Sequence, residues 1–152
     1  ISSDGEKYSP EGIEEALVEK SPYIDQVMLY NNQSNYTTAV IVPNRDQLIR
    51  TLKVQGLDLS TEDGRKAALT ILDGEINKYK KGGDFEGMFP ERWLPTCFAV
   101  LSEPFTEQNQ MINSTMKMVR GKIEKAYAER IAYMYTAAGK QLHNQQNIDA
   151  LK

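Results

Sequence analysis

Cysteine and histidine each occur once, as Cys97 and His143. A single cysteine excludes an internal disulfide and an all-cysteine metal site. A single histidine, set in the polar stretch GKQLHNQQN, argues against a Ser-His-Asp triad or a histidine-rich zinc centre, and no metal ligands are assigned. Cys97 stands in the apolar run CFAVL and reads as a small buried hydrophobe. No apolar stretch approaches the roughly 18 residues expected of a membrane span, and no signal peptide is read at the start. An excess of basic charge is missing as well. The net charge is −3, so no overall field gathers nucleic acid, and no nucleic-acid partner is expected. Repeats, heptads and low-complexity blocks are absent. What remains is a 152-residue chain, 40% hydrophobic and 26% charged, a globular composition of ordinary single-domain size. It begins at Ile1 rather than Met, and its first nine residues read like the inside of a motif, so a piece of a longer protein is expected.

The hydrophobic pattern predicts an α+β domain. Residues 1–9 (ISSDGEKYS) form a polar loop. Ser9-Pro10-Glu11 then opens a helix with a cap, a proline at the first helical position and an acid suited to the dipole. Ile13, Ala16 and Leu17 mark its apolar face, and Ser21-Pro22 stops it. The segments 24–30 (IDQVMLY) and 36–42 (YTTAVIV) flank the turn cluster NNQSN and predict a β-hairpin, with the second strand the more buried. A helix over 45–55, capped by Asn44 and ended by Gly56, is followed by one over 61–80, capped by Ser60 and weakened at Gly64 and Gly74. A third strand runs from Trp93 to Ser102, with an irregularity at Pro95. The expected architecture is a sheet of about three strands packed with helices. The domain covers 1–135, and 136–152 is a polar tail that docks loosely or frays.

The stretch 109–127 (NQMINSTMKMVRGKIEKAY) is the most informative. Asn113, Ser114 and Thr115 lead into Lys117, with Arg120 one turn later, and the pattern predicts a helix over 117–135. Lys117 would then sit in its first turn, where the macrodipole disfavours a cation. That penalty is compatible with a role outside the helix, such as contact with an anionic ligand, while spacing alone favours a solvated lysine on a polar turn.

Two segments carry a resemblance to a known family. In 1–17, Ile1, Ser3, Gly5, Pro10, Ile13 and Glu14 fit the pattern I-x-S-x-G-x-x-x-x-P-x-x-I-E. In 105–123, Thr115, Lys117 and Arg120 fit a T-x-K-x-x-R ending, and Phe105-Thr106 with the Asn-containing loop fits the same branch. Together they resemble the C-terminal small domain of adenylate-forming acyl-CoA synthetases, in the long-chain fatty-acid ligase branch, over nearly all of 1–135. Met116 stands where most of that superfamily has glycine, which alone reaches positive φ cheaply. Helix 61–80 looks like an insertion.

The resemblance implies the mobile lobe of a cytoplasmic, two-step ligase with ATP, a fatty acid and CoA as substrates and Mg2+ in the full-length enzyme. It implies a large N-terminal domain as partner and is compatible with peripheral membrane association of the whole enzyme. The isolated domain would be inactive. Lys117 is implied as the catalytic residue of adenylation. Ser3, Gly5, Thr115 and Arg120 are implied to bind substrate or cofactor, with the loop of Ser3 and Gly5 facing CoA after the lobe swings and a purely structural role for Arg120 as an equal alternative. Glu14 reads as a structural helix residue. The competing function is a binding module that presents Lys117, Arg120, Lys122, Lys125 and Arg130 on helix 117–130 to RNA or an anionic membrane. Glu124 and Glu129 interrupt that run.

Overall fold

The computed structural model describes residues 10–31 and 35–152. Strands β1 (Ile24–Tyr30), β2 (Thr37–Pro43) and β3 (Pro95–Val100) form one sheet in the order β1-β2-β3. The β1/β2 pair is antiparallel, with Leu29 opposite Ala39. The β2/β3 pair is parallel, with Ala39 opposite Phe98. Every residue of the central strand β2 is buried, as its unbroken apolar run requires. The irregularity expected at Pro95 appears as a register shift opposite Thr37 and Thr38.

Because successive strand residues point to opposite faces, the sheet supports two cores. Val27, Leu29, Ala39, Ile41, Phe98 and Val100 face the helices α1 (Pro10–Lys20), α2 (Arg45–Val54), α3 (Glu62–Asn77) and α6 (Gln145–Ala150). Met28, Val40, Val42, Cys97 and Ala99 face α4 (Arg120–Ala126) and α5 (Ala128–Tyr133) through Ile123, Ile131 and Met134, with Phe105 beside them.

Four expectations need correction. The helix at 117–135 starts at Arg120 and breaks at Tyr127 (φ −114°, ψ 25°), so it is two short helices. Lys117 therefore lies outside any helical turn and carries no first-turn dipole penalty. The N-cap of α3 is Thr61, whose hydroxyl accepts from the Gly64 N–H, while Ser60 bonds Asp58 instead. Gly64, expected only as a weak point, is required by packing: a Cβ there would lie 1.6 Å from the Asp58 carbonyl oxygen. The segment 136–152 carries α6, whose Ile148, together with Leu151 just beyond it, is buried in the larger core.

A three-stranded sheet leaves two outer edges whose backbone groups need partners. On β1, the Leu29 N–H donates to Glu14 Oε2 at 2.6 Å. On β3, the Val100 N–H donates to Asn147 Oδ1 at 2.9 Å, and Asn147 Nδ2 donates to the Phe98 carbonyl at 3.0 Å. Each plug is joined by an arginine from the opposite face of the sheet: Arg120 bonds Glu14, and Arg130 bonds Asn147. The two layers of helices are thereby tied together around both edges of the sheet.

Candidate functional site

The site lies where α1, the outer edge of β1 and the segment before α4 meet. Gln26 sets the approach to it. Gln26 stands at an irregularity in the β1 register, and its side-chain amide pairs with the backbone of Phe105, accepting from its N–H at 2.7 Å and donating to its carbonyl at 3.0 Å. Phe105 is buried beneath that contact. Asn109 then folds the next turn, accepting from the Thr106 and Met111 N–H groups.

From Met111 to Val119 the chain doubles back as a tight hairpin. Ile112 bridges Met118, and the Val119 N–H donates to the Met111 carbonyl at 2.8 Å. Asn113 organises its tip. Its Oδ1 accepts from the Thr115 N–H (3.0 Å), the Thr115 hydroxyl (2.7 Å) and the Lys117 N–H (3.0 Å). The backbone adds bonds from the Asn113 N–H to the Lys117 carbonyl and from the Met116 N–H to the Asn113 carbonyl. Closing this turn forces Met116 to φ +66°, the left-handed conformation that glycine reaches most cheaply. Met116 is 71% exposed, so its side chain gains no packing in return.

Lys117 projects from this hairpin as an exposed residue, and its ammonium makes no hydrogen bond or ion pair among the described residues. It borders a groove of about 580 Å³ between the hairpin and α1. Glu11, Glu15 and Glu19 line the α1 side, and Met116, Lys117 and Arg120 line the other. A compact ammonium at the rim of an open groove can reach anionic groups brought from outside this domain.

Thr115 and Arg120 are both turned toward their own domain. The Thr115 hydroxyl is given to Asn113. Arg120 bonds both Glu14 carboxylate oxygens, Nη1 to Oε2 at 2.9 Å and Nη2 to Oε1. Burial pushes the Glu14 carboxyl above its ordinary range, against the opposing pull of Arg120 and the Leu29 N–H. Ser3 and Gly5 lie outside the described residues. Sequence reasoning treated Asn113 as one polar residue among several; its signal was the spacing Asn-x-Thr, in which an Asx side chain bonds the backbone two residues on. The Glu14–Arg120 pairing spans 106 positions and leaves no local signal.

The basic face proposed for 117–130 is not assembled. Arg120 is held by Glu14, Arg130 is half-buried against Asn147, and the break at Tyr127 interrupts the helix between them. Among the described residues no group of three or more His, Cys, Asp or Glu side chains is arranged to hold a metal ion.

No family model matches the chain. Curated relatives do. It is 25% identical over 143 residues to a probable acyl-activating enzyme 16, chloroplastic, of Arabidopsis thaliana, covering 89% of this chain and 18% of that protein. It is 26% identical over 140 residues to fatty acyl-CoA synthetase B of Dictyostelium discoideum, covering 88% and 20%. It is 26% identical over 123 residues to a carboxylic acid reductase of Mycobacterium tuberculosis, covering 80% and 9%. The chain thus spans a fifth or less of the length of these relatives. Among solved structures, the A-PCP didomain of the carboxylic acid reductase from Segniliparus rugosus, in complex with AMP, superposes with a TM-score of 0.67 at 24% identity, covering 88% of this chain and 16% of that one. The A domain of the same reductase gives a TM-score of 0.64 over 88% and 19%.

Proposed function

We propose that this chain, which has the fold of the C-terminal lobe of adenylate-forming enzymes and is related in sequence to acyl-activating enzymes, is the mobile lobe of an ATP-dependent acid–thiol ligase acting on long-chain fatty acids. The observation that carries the reading is Lys117: an exposed cation, unpaired among the described residues, on a turn fixed by Asn113.

In the first half-reaction a carboxylate oxygen of the acid attacks the α-phosphorus of ATP. The bond to the bridging oxygen breaks, and pyrophosphate leaves with the electron pair. Nucleophile and target are both anionic and repel as they close. An ammonium between them offsets that repulsion and orients the attack, which is the contribution assigned to Lys117. In the second half-reaction the sulfur of CoA attacks the acyl carbon of the adenylate and AMP departs. The loop containing Ser3 and Gly5 is proposed to face CoA at that stage, after the lobe has turned. Mg2+ belongs to the reading as the partner of ATP on the N-terminal lobe, since the described residues offer it no cluster of ligands. A cytoplasmic enzyme, with peripheral membrane contact where its fatty acids reside, completes the proposal.

The test is the Lys117→Ala variant in the protein that joins this domain to its N-terminal lobe. Carboxylate-dependent exchange of pyrophosphate into ATP should fall by about 10²–10³, the scale for losing one preorganised electrostatic stabiliser. Thioester formation from supplied acyl-adenylate should persist. Retention of full exchange removes Lys117 from the chemistry. Relatives that are carboxylic acid reductases support a second acceptor, a carrier-protein thiol; comparing CoA with a phosphopantetheinylated carrier protein as acceptor decides between them.

A further inference from the structure

We propose that Asn113 is the positioning residue for Lys117: its side-chain oxygen sets the hairpin in the form that presents the ammonium for adenylation. The inference rests on the reading of Lys117 given above and assigns a function to a residue that reading does not use.

Three donors converge on Asn113 Oδ1, the Thr115 N–H, the Thr115 hydroxyl and the Lys117 N–H, all from residues of the family-like motif. Asn113 Nδ2 makes no hydrogen bond among the described residues, so the side chain acts here purely as an acceptor. The work that acceptor does is visible at Met116. A non-glycine residue at φ +66° is disfavoured unless its surroundings over-determine it. Its side chain is exposed and contributes no such constraint, which leaves the bonds around Asn113 to hold the turn. Without them the turn relaxes toward ordinary backbone angles and the lysine leaves its direction. A catalytic group displaced by about 1 Å can cost on the order of a hundredfold in rate.

Hydrogen exchange at the Thr115 and Lys117 amides, and the two half-reactions, are measured in the two-lobed enzyme for Asn113→Ala and Asn113→Asp, with Lys117→Ala alongside. Asn113→Ala should lower kcat for adenylation by roughly ten- to a hundredfold with little change in KM for ATP. It should speed exchange at both amides and leave thioester formation from acyl-adenylate unchanged, which serves as the control for folding. Asn113→Asp keeps the acceptor and should restore protection and most of the rate. Wild-type adenylation in Asn113→Ala, unchanged amide exchange, an equal fall in both half-reactions, or no rescue by Asp each overturns the positioning role. If Lys117→Ala is itself silent, the proposed function fails; if only Asn113→Ala is silent, the function stands and this inference alone falls.

Discussion

The Arg120 guanidinium grips both oxygens of the Glu14 carboxylate across the outer edge of β1, and the same carboxylate accepts the Leu29 N–H. One buried acid thus closes a sheet edge and ties the start of α4, just beyond the lysine hairpin, to α1. Removing Arg120 leaves that acid buried with a single donor. Arg120→Met should therefore cost roughly 2–4 kcal/mol in urea unfolding, toward the lower end of the range for breaking a buried pair because the guanidinium is itself 30% exposed. A loss below about 0.5 kcal/mol would mean the pair behaves like an exposed surface bridge.

Glu14 also predicts a pH dependence. Its carboxyl is held above the ordinary value by burial. The folded protein therefore takes up a proton at higher pH than the unfolded chain. This group's contribution to stability is complete below the unfolded pKa of about 4.3 and is lost as pH rises through the folded value. Glu14→Gln has no such titration. The difference in unfolding free energy between wild type and Glu14→Gln should move in the variant's favour as pH rises above about 4.3. The opposite slope would show that Arg120 outweighs burial.

The fold was legible in the sequence where local chemistry and burial agree. The hairpin strands, α2 and its Asn44 cap, and the buried second strand all follow from runs of β-branched residues, a capping side chain and a terminating Gly56 at φ +75°. The failures share a cause. Apolar spacing continues through Tyr127, yet the helix breaks there, because the stripe reports which residues face the sheet and not whether the backbone between them is continuous. The segment 136–152 looked like a tail because Asn144, Asn147 and Gln145 are polar. Asn147 is buried all the same, since it replaces the neighbouring strand that β3 lacks. At the candidate site the lysine motif is legible, whereas Asn113, the acceptor that shapes its turn, offers only the short Asn-x-Thr spacing to distinguish it from its polar neighbours.

That substitution of a side chain for a strand makes Asn147 a strong stability determinant. Asn147→Ala strands the Val100 N–H and the Phe98 carbonyl on the β3 edge and removes the hydrogen bond that half-buried Arg130 makes. Two buried groups losing their partners should cost about 2–4 kcal/mol. Amide exchange at Val100 should accelerate more than at Leu29, which Glu14 still holds. Equal acceleration at both edges would indicate global loosening instead.

Cys97 offers a readout of the second core. Its thiol is buried, donates to the Met134 carbonyl at 3.5 Å, and is pushed up by burial to about 11. Thiolate is the reactive form, so native Cys97 should resist alkylation at pH 8, and its labelling should follow unfolding. The sign is that of any raised acid. The stabilising contribution is present below the unfolded value of about 8.5 and disappears as pH climbs toward 11. Rapid labelling of the native protein at pH 8 would contradict this burial.

Met116 separates backbone from side chain at the lysine hairpin. The residue is 71% exposed, so replacing it changes little packing, yet its φ of +66° is disfavoured for any residue with a Cβ by roughly 1–2 kcal/mol. Met116→Gly removes that penalty while adding about 0.4–1 kcal/mol of unfolded-chain entropy. The two nearly cancel, and both thermal stability and adenylation should stay close to wild type. Met116→Val keeps an apolar side chain but adds β-branching, which makes the left-handed region a genuine outlier. Ile112 and Met118 anchor the base of the hairpin in the second core, so strain confined to its exposed tip should lower the melting temperature only slightly while the tip opens. Adenylation should then fall by roughly tenfold or more as Lys117 loses its direction, with thioester formation from acyl-adenylate preserved. If valine is tolerated as well as glycine, the left-handed turn is not what aims the lysine, and the hairpin merely carries it.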